Sequence, residues 1–367
     1  MLTKTQRLLS VTTALVMASS TLAFAEPSAD LIAAAKKEGT LTTIALPHNW
    51  CGYGDLIAGF KAKYGLDVNE LNPDAGSGDE IEAIKANKGN KGPQAPDVID
   101  VGLSFGPTAK ADGLLMPYKV STWDTIPDTA KDADGAWYGD YYGVLSFVVN
   151  TDIVKNVPKD WDDLKKPEYA NSVAFAGDPR VSNQAVQAVY AAGLATGEKD
   201  ATKAGEAGLK FFADVNKAGN FVPVIGKSAS LAQGSTPIIV AWDYNGLAWR
   251  DSLKGNPPVE VVVPQKGVVA GVYVQAISAF APHPSAAKLW MEYIYSDEGQ
   301  LAWLKGYCHP IRFNDLAKNN KIPKDLLDAL PPAEGYAKAV FPTLDEQDKG
   351  KAAITTKWDS VVGANVK

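Results

Sequence analysis

The sequence is poor in cysteine and histidine. It has two cysteines, Cys51 and Cys308, and three histidines among 367 residues. No two histidines lie at the short spacing typical of a zinc site, so no metal centre and no cofactor are expected. An oxidising compartment would allow the two cysteines to form a disulfide. Their distance along the chain leaves two separate buried thiols as an equal alternative.

Long hydrophobic runs are missing beyond the first 25 residues. Those residues combine Lys4 and Arg7 with an apolar stretch and an Ala-Phe-Ala end, which predicts a secretory signal peptide cleaved after Ala25. No later apolar run approaches the roughly 20 residues that a membrane helix needs, so we expect a soluble mature chain. Because the cleavage site has no cysteine for a lipid anchor, a free periplasmic protein is predicted.

An excess of positive charge is also missing. The chain has 36 Lys and Arg against 42 Asp and Glu, a net charge of −6. Removal of the predicted signal peptide takes away Lys4 and Arg7 and makes the remainder more acidic still. Nucleic acid and anionic membrane surfaces are therefore not expected as partners.

Apolar strand-like runs alternate with amphipathic helices along the chain, which predicts an α/β fold with a largely parallel sheet. Two longer segments, 137–154 and 271–282, are rich in aromatic and β-branched residues and lack helical periodicity. We interpret them as crossings between two lobes. The predicted organisation is a signal peptide at 1–25, a first lobe at 26–147, a second lobe at 148–272, a return to the first lobe at 273–322 and C-terminal helices at 323–367.

Several motifs occur in a characteristic order: "DVIDVG", "GAWYGDYYGVLSFVVNTDIV", "AQGSTPIIVAWDYNGLA" and "AAKLWMEYIYSDEGQ". In this order they resemble the bacterial extracellular solute-binding proteins of ABC importers, in the group that includes polyamine, ferric iron, thiamine and aminophosphonate binders. The resemblance implies a two-lobed type II periplasmic binding protein fold with two crossing strands as the hinge. It further implies a monomer that captures a small solute in the cleft and delivers it to a membrane permease, without chemistry on the solute.

Loops at the carboxyl ends of the predicted strands are the expected ligand site, because ligands gather there in open α/β sheets. Asn49 and Trp50 follow the first strand, where the indole would stack on a ligand or serve as a structural aromatic beside Cys51. Ser77 and Gly78 precede a helix whose free amides attract anions. Simple N-capping by Ser77 or Asp79 explains the same pattern.

Asp243 is the principal candidate for binding a cationic group. It follows the apolar run 238–242 and lies between Trp242 and Tyr244. A carboxylate flanked by aromatic rings suits an ammonium group, through ion pairing and cation–π contact. The alternative partner of this carboxylate is Arg250, about two turns along the helix that follows.

Four more residues complete the predicted site. Arg180, between a strand-like run and a helix, would bind a carboxylate or phosphonate bidentately, or lie free on the surface. Tyr141 and Tyr142 form an aromatic pair at the crossing, with hinge packing as the alternative for Tyr142. Ser104 would donate to a ligand or serve a turn. Asp243 and Arg180 together predict an ω-amino acid or aminophosphonate ligand, with a polyamine as the related possibility.

Other functions find weaker support in the sequence. The resemblance leaves ferric iron and thiamine as alternative ligands, but its iron binders place adjacent tyrosines in the second lobe, whereas Tyr141 and Tyr142 lie at the crossing. Ser285 and Lys288 fit the S-x-x-K pattern of a secreted hydrolase. The companion S-D-N and K-T-G motifs are missing, so no catalytic residue is predicted and the protein is not expected to be an enzyme.

Overall fold

The computed structural model describes residues 26–329 and 338–367, and the predicted signal peptide lies outside them. The strands are β1 (Thr40–Ile44), β2 (Asp67–Leu71), β3 (Val98–Gly102), β4 (Leu115–Met116), β5 (Tyr138–Asn150), β6 (Val173–Phe175), β7 (Phe221–Ile225), β8 (Ile238–Trp242), β9 (Val259–Val262), β10 (Ala270–Ser278) and β11 (His309–Pro310).

The helices of the described residues alternate with these strands. They are α1 (Ala29–Glu38), α2 (Tyr53–Tyr64), α3 (Ser77–Ala86), α4 (Phe105–Ala111), α5 (Asn183–Ala195), α6 (Ala201–Lys217), α7 (Ser228–Gln233), α8 (Asp243–Leu253), α9 (Pro284–Ile294), α10 (Asp297–Lys305), α11 (Phe313–Lys318), α12 (Lys324–Ala329) and α13 (Leu344–Val361). No helix in this part of the chain combines the length and apolarity needed to cross a membrane.

The strands form two sheets. β1 and β2 pair in parallel, and a larger sheet has the order β3-β10-β5-β8-β6-β7. The strands β3 and β8 are buried along their whole length, as expected for near-continuous apolar runs that are covered on both faces. We call the part built on β1–β4, α1–α4 and α9–α12 the first lobe, and the part built on β6–β9, α5–α8 and α13 the second lobe.

The long strand β5 connects the two lobes. Its first half, up to Val144, pairs with β10, and its second half, from Leu145, pairs with β8. β10 in turn pairs with β3 of the first lobe. The two long segments predicted as crossings are therefore the strands that join the lobes, and the predicted two-lobed α/β fold is confirmed. The predicted parallel sheet is found only in part, because β5 and β10 pair antiparallel with their neighbours.

A disulfide joins Cys51 and Cys308, whose Cα atoms lie 5.3 Å apart. The alternative of two separate thiols is thus excluded. The bond ties the loop after β1, which carries Trp50, to the segment before β11. Gly306 packs directly against this loop, since a Cβ atom on it would lie 2.1 Å from the carbonyl carbon of Cys51.

The C-terminal helix α13 packs against α5 and α6 of the second lobe. Its buried Trp358 contacts the rings of Phe175 and Phe221. One side chain also reaches the first lobe, because Lys351 Nζ donates to the carbonyl oxygen of Ser104 at 3.0 Å. The last helix is therefore part of the second lobe and touches the first.

Candidate functional site

A cavity of about 280 Å³ lies between the lobes. Small-molecule sites are typically concave and of a few hundred Å³. The first lobe lines it with Ala45, Pro47, Asn49, Trp50, 73–77, Asp79, Glu80 and Asp100, the second with 176–178, 181–184, 225–229, Asn245 and Trp249, and β10 with Tyr273. Both lobes and a connecting strand thus contribute to one site.

The lobes touch each other around this cavity. Lys227 of the second lobe pairs with Asp74 of the first at 2.9 Å. The backbone N–H of Gly78 donates to the carbonyl oxygen of Val181 across the cleft, at 3.3 Å. The cavity is therefore bounded by direct contacts between the lobes, which corresponds to a closed arrangement.

Asp100, on β3, is the most deeply placed carboxyl group of the cavity wall whose bonding is incomplete. It is 4% exposed, and its Oδ2 accepts hydrogen bonds from Tyr53 at 2.8 Å and Tyr141 at 2.6 Å. Its backbone N–H donates to the buried carboxylate of Glu80 at 2.9 Å. Among the described residues, no donor bonds to its Oδ1. A buried carboxylate without a donor on one oxygen is costly, so a donor from a solute is favoured here.

Burial changes the acidity of the carboxyl groups in this region. It raises the pKa of Asp100 to about 7, against the opposing effect of hydrogen bonds from the Tyr141 and Tyr53 hydroxyls. Burial also raises the pKa of Glu80 well above its ordinary value. The cause is the loss of hydration of the charged form, which exceeds the stabilisation that the hydrogen bonds supply.

Asn183 faces the cavity from the second lobe. It is the first residue of α5, is 2% exposed, and its Oδ1 has no hydrogen-bond donor among the described residues. Its side chain packs onto β3, where a Cβ atom at Gly102 would lie 2.1 Å from the Asn183 Cγ. Only a glycine at position 102 therefore allows this amide to approach the first lobe.

Aromatic rings form another part of the wall. Trp50 is half-buried, and its ring contacts the rings of Tyr244 and Tyr273 edge-on, with centroids 5.3 and 5.5 Å apart. Its Nε1 donates to the hydroxyl of Tyr141 at 2.6 Å, and that hydroxyl donates in turn to Asp100. The indole at the cavity is thus connected to the buried carboxyl group by one tyrosine.

Three of the residues predicted from the sequence line the cavity: Asn49, Trp50 and Ser77. Ser77 does not cap α3, because its hydroxyl accepts the backbone N–H of Gly102 on β3 at 3.1 Å. The cap is supplied by Asp79, which accepts the N–H of Gly76 at 2.9 Å.

Asp243 does not line the cavity, which corrects the principal expectation from the sequence. Its side chain is fully buried at the start of α8, and its Oδ1 accepts the backbone N–H of Val144 on β5 at 2.9 Å. Arg250, the alternative partner, pairs with Asp251 instead. Since β8 pairs with β5, the end of β8 meets the crossing strand rather than the cleft.

Arg180 also points away from the cavity, contrary to the prediction. Its Nε donates to both carboxylate oxygens of Asp178, and its Nη2 donates to the carbonyl oxygen of Val366 at 3.0 Å. The guanidinium group therefore holds the C-terminal segment against the second lobe. The predicted pairing of Arg180 and Asp243 at opposite ends of one ligand is not found.

The remaining predicted residues lie near the cavity without lining it. Tyr141 and Tyr142 are consecutive on β5, so their side chains point to opposite faces of the sheet. Tyr141 bonds to Asp100, whereas Tyr142 stacks on His309 with centroids 4.9 Å apart. Tyr244 is fully buried behind Trp50. Ser104 is buried, and Gly78 contacts the second lobe through its backbone. Neither residue lines the cavity.

The two buried acceptors were missed in the sequence. Asp100 lies inside the apolar strand "VIDVG". A carboxyl group beside buried apolar residues is also the pattern on which the prediction for Asp243 was based. Asn183 follows Ser182 at a helix start, where capping is the ordinary explanation. Within residues 26–329 and 338–367, no group of three or more His, Cys, Asp or Glu is arranged to hold a metal ion.

Comparison with known proteins matches more than half of the chain to a described family. Residues 94–333 match the family described as "Bacterial extracellular solute-binding protein". An uncharacterized protein of Haemophilus influenzae is 29% identical over 231 residues, which are 60% of this chain. The chain spans 64% of the length of that relative.

Solved structures of similar fold include periplasmic binding proteins. The protein AfuA from Actinobacillus pleuropneumoniae, with fructose-6-phosphate bound, is 21% identical over 88% of this chain and 98% of its own, with a TM-score of 0.66. A putative spermidine/putrescine ABC transporter from Listeria monocytogenes is 14% identical over 88% and 99%, with a TM-score of 0.64. These likenesses establish the two-lobed fold.

Proposed function

Because this chain belongs to the bacterial extracellular solute-binding proteins, we propose that it is the periplasmic component of an ABC importer and carries an amine-bearing solute. The observation that supports this solute is a pair of buried acceptor oxygens on opposite lobes. Asp100 Oδ1 and Asn183 Oδ1 belong to residues that line the same cavity, and neither has a donor among the described residues. An ammonium group offers three donors and a positive charge to such a pair.

The charges of the cavity also favour a cationic solute. Its lining includes the carboxyl groups of Asp74, Asp79, Glu80, Asp100 and Asp178. Within the described part of the chain, the one cation of the lining is Lys227, and it is already paired with a carboxylate across the cleft. The rings of the lining tryptophans and tyrosine add faces for cation–π contact.

Arg180, the predicted partner of an acid group on the solute, does not line the cavity. With Arg180 turned toward the C-terminal segment, the cavity no longer selects a zwitterion over a simple amine. The proposal therefore covers polyamines, ω-amino acids and aminophosphonates alike. The proposal rests on the amine group that these three classes of solute share.

Binding then acts through the two lobes. A solute that contacts Asp100 on the first lobe and Asn183 on the second has a higher affinity for the closed arrangement than for an open one, and it shifts the equilibrium toward closure. The closed monomer would dock on the permease. The strands β5 and β10, which join the lobes, are the proposed hinge.

A thermal-shift screen of the mature protein tests this function. The panel contains putrescine, spermidine, γ-aminobutyrate and aminoethylphosphonate, with thiamine and ferric citrate as the alternative ligands and butyrate as an acid-only control. At about 100-fold saturation a ligand stabilises the folded state by about 2.7 kcal/mol, which gives a readable shift. Stabilisation by amines and not by butyrate is expected. A response to ferric citrate alone, or to nothing in the panel, would overturn the proposal.

A further inference from the structure

A second buried carboxyl group lies beside Asp100. Asp140, on the crossing strand β5, is fully buried and does not line the cavity. Its Oδ1 accepts the backbone N–H of Tyr141 at 2.8 Å, and hydrogen bonding by the Gln275 side chain also acts on its carboxyl group. Its Oδ2, like Asp100 Oδ1, has no partner at direct hydrogen-bond distance among the described residues. Each of these two carboxyl groups affects the ionisation of the other. We call Asp100 and Asp140 the carboxyl pair.

One proton would resolve the bonding of the carboxyl pair. Two ionised carboxylates in a buried site repel each other, and neither can donate a hydrogen bond. If one of them is protonated, its O–H can donate to the other and the negative charge falls by one. Carboxyl groups placed in this way titrate as a unit rather than as two separate acids.

Among the described residues, the groups that interact with the carboxyl pair do not supply a compensating positive charge. Those that interact with it from the packed elements are acids, phenols or a neutral amide: Tyr53 on α2, Glu80 on α3, Tyr141 on β5, Tyr244 on α8, Tyr273 and Gln275 on β10, and Tyr295 after α9. Burial raises the pKa of each of these tyrosines, so they stay neutral near neutral pH. The carboxyl pair therefore has a proton available, and its member Asp100 lines a cavity suited to a cation.

We propose that the carboxyl pair exchanges this proton for the positive charge of the solute, so that binding of one ammonium group releases one proton. In this step the O–H bond of the protonated carboxyl breaks and its proton passes to the solvent. The ammonium group keeps its own protons and forms an ion pair with the Asp100 carboxylate. The inference rests on the proposed function and adds to it a dependence of capture on pH.

The direction of the pH dependence follows from the raised pKa of Asp100, which lies at about 7. Below that pH the pair must lose a proton to bind the cation, and the apparent affinity should fall about 10-fold for each unit of decreasing pH. Well above that pH the proton is already lost, and the affinity should level off.

Isothermal titration calorimetry of the mature protein with putrescine and γ-aminobutyrate measures the released protons directly. Each titration is run in two buffers of different ionisation enthalpy, at about pH 6 and about pH 8.5, on either side of the pKa. We expect about one proton released per bound ammonium group at the lower pH and almost none at the higher. This measurement needs no variant and is independent of whether any substitution impairs folding.

Variants assign the proton to the carboxyl pair. Asp100→Asn should abolish proton release. Asp243→Asn is the matched control, because Asp243 is an equally buried carboxyl group that does not line the cavity, and it should leave the release unchanged. Glu80→Gln tests the other buried acid of the wall. Release that persists in Asp100→Asn and disappears in Glu80→Gln would move the proton to Glu80 and overturn the assignment.

The outcomes separate this inference from the proposed function. If no amine of the panel binds, the proposed function is wrong. If an amine binds and the heat is the same in both buffers at about pH 6, the function stands and proton exchange is wrong.

Discussion

The two lobes contribute different chemistry to one cavity. The first lobe supplies the buried carboxyl groups of Asp100 and Glu80, while the second supplies the neutral amides of Asn183 and Asn245. The second-lobe carboxylate of Asp178 is already paired within its own lobe. This difference indicates that the first lobe recognises charge and the second completes hydrogen bonds on closure.

The lobes also differ in how their cavity residues are held. In the first lobe, a disulfide fixes the loop that carries Trp50, and tyrosine hydroxyls fix Asp100. In the second lobe, Arg180 holds the C-terminal segment by hydrogen bonds to Asn365 and Val366 and an ion pair with Asp359. We therefore expect the first lobe to present its groups in a rigid geometry before the second closes.

Removal of the disulfide should have the largest effect on stability. The residues it joins are separated by 257 positions, and replacing Cys51 and Cys308 by serine should lower the free energy of unfolding by about 2 to 4 kcal/mol. Chemical denaturation measures this change. Arg180→Met, which loosens the second lobe, is the comparison and should cost less. An equal loss in both variants would remove the proposed difference in rigidity.

Replacement of the first-lobe carboxylate should have the largest effect on binding. Asp100→Asn removes a charged hydrogen bond, so the affinity for a panel amine should fall about 10- to 100-fold at a pH above 7. Asp243→Asn should change it less than about twofold. Calorimetry measures both. A larger loss in Asp243→Asn would restore the sequence prediction and contradict the assignment of charge recognition to Asp100.

Replacement of the second-lobe amide should have a smaller effect. Asn183→Ala removes a neutral hydrogen bond and should weaken binding about 3- to 10-fold. The pH dependence of binding should stay as in the unsubstituted protein, since the carboxyl pair is intact. Tryptophan fluorescence at varied pH follows both quantities. A loss of the pH dependence in Asn183→Ala would contradict the proposal that the first lobe recognises charge and the second lobe only completes hydrogen bonds.

The contact across the mouth of the cavity should matter least. Lys227 and Asp74 have side chains that are 54% and 69% exposed, so Lys227→Met should change affinity less than about threefold. Any effect should vanish in high salt. Lys159→Met, which removes a similarly exposed ion pair within the second lobe, is the control. A much larger effect for Lys227→Met than for Lys159→Met would show that the contact between Lys227 and Asp74 stabilises the closed arrangement.

Asp100 and Asp243 show why the sequence alone could not locate the carboxyl group of the cavity. Both are carboxyl groups placed in or directly after buried apolar strands, so their local signals are alike. The strand order separates them, because β8 pairs with β5 and its end is turned to that strand, whereas Asp100 lies on β3 at the cleft. A local pattern contains no information about this order.

Arg180 illustrates a second limit. Its partners include Asn365 and Val366, more than 180 positions away. The placement of α13 on the second lobe brings them together, and no motif near Arg180 indicates that placement. Trp50, by contrast, lines the cavity, because the loop after the first strand of an α/β lobe lies at the cleft whatever the distant chain does.

The sequence by itself determined the α/β class and the two long crossing strands, because burial periodicity and turn residues act over a few neighbouring positions. The family followed from the resemblance of several motifs in a characteristic order. Tertiary structure decided the disulfide, the direction of Asp243 and Arg180, and the meeting of Asp100 with Asp140 and Asn183. These depend on pairings between distant strands and on the contact between lobes, and the position of a side chain relative to a cavity exists only once those pairings have formed.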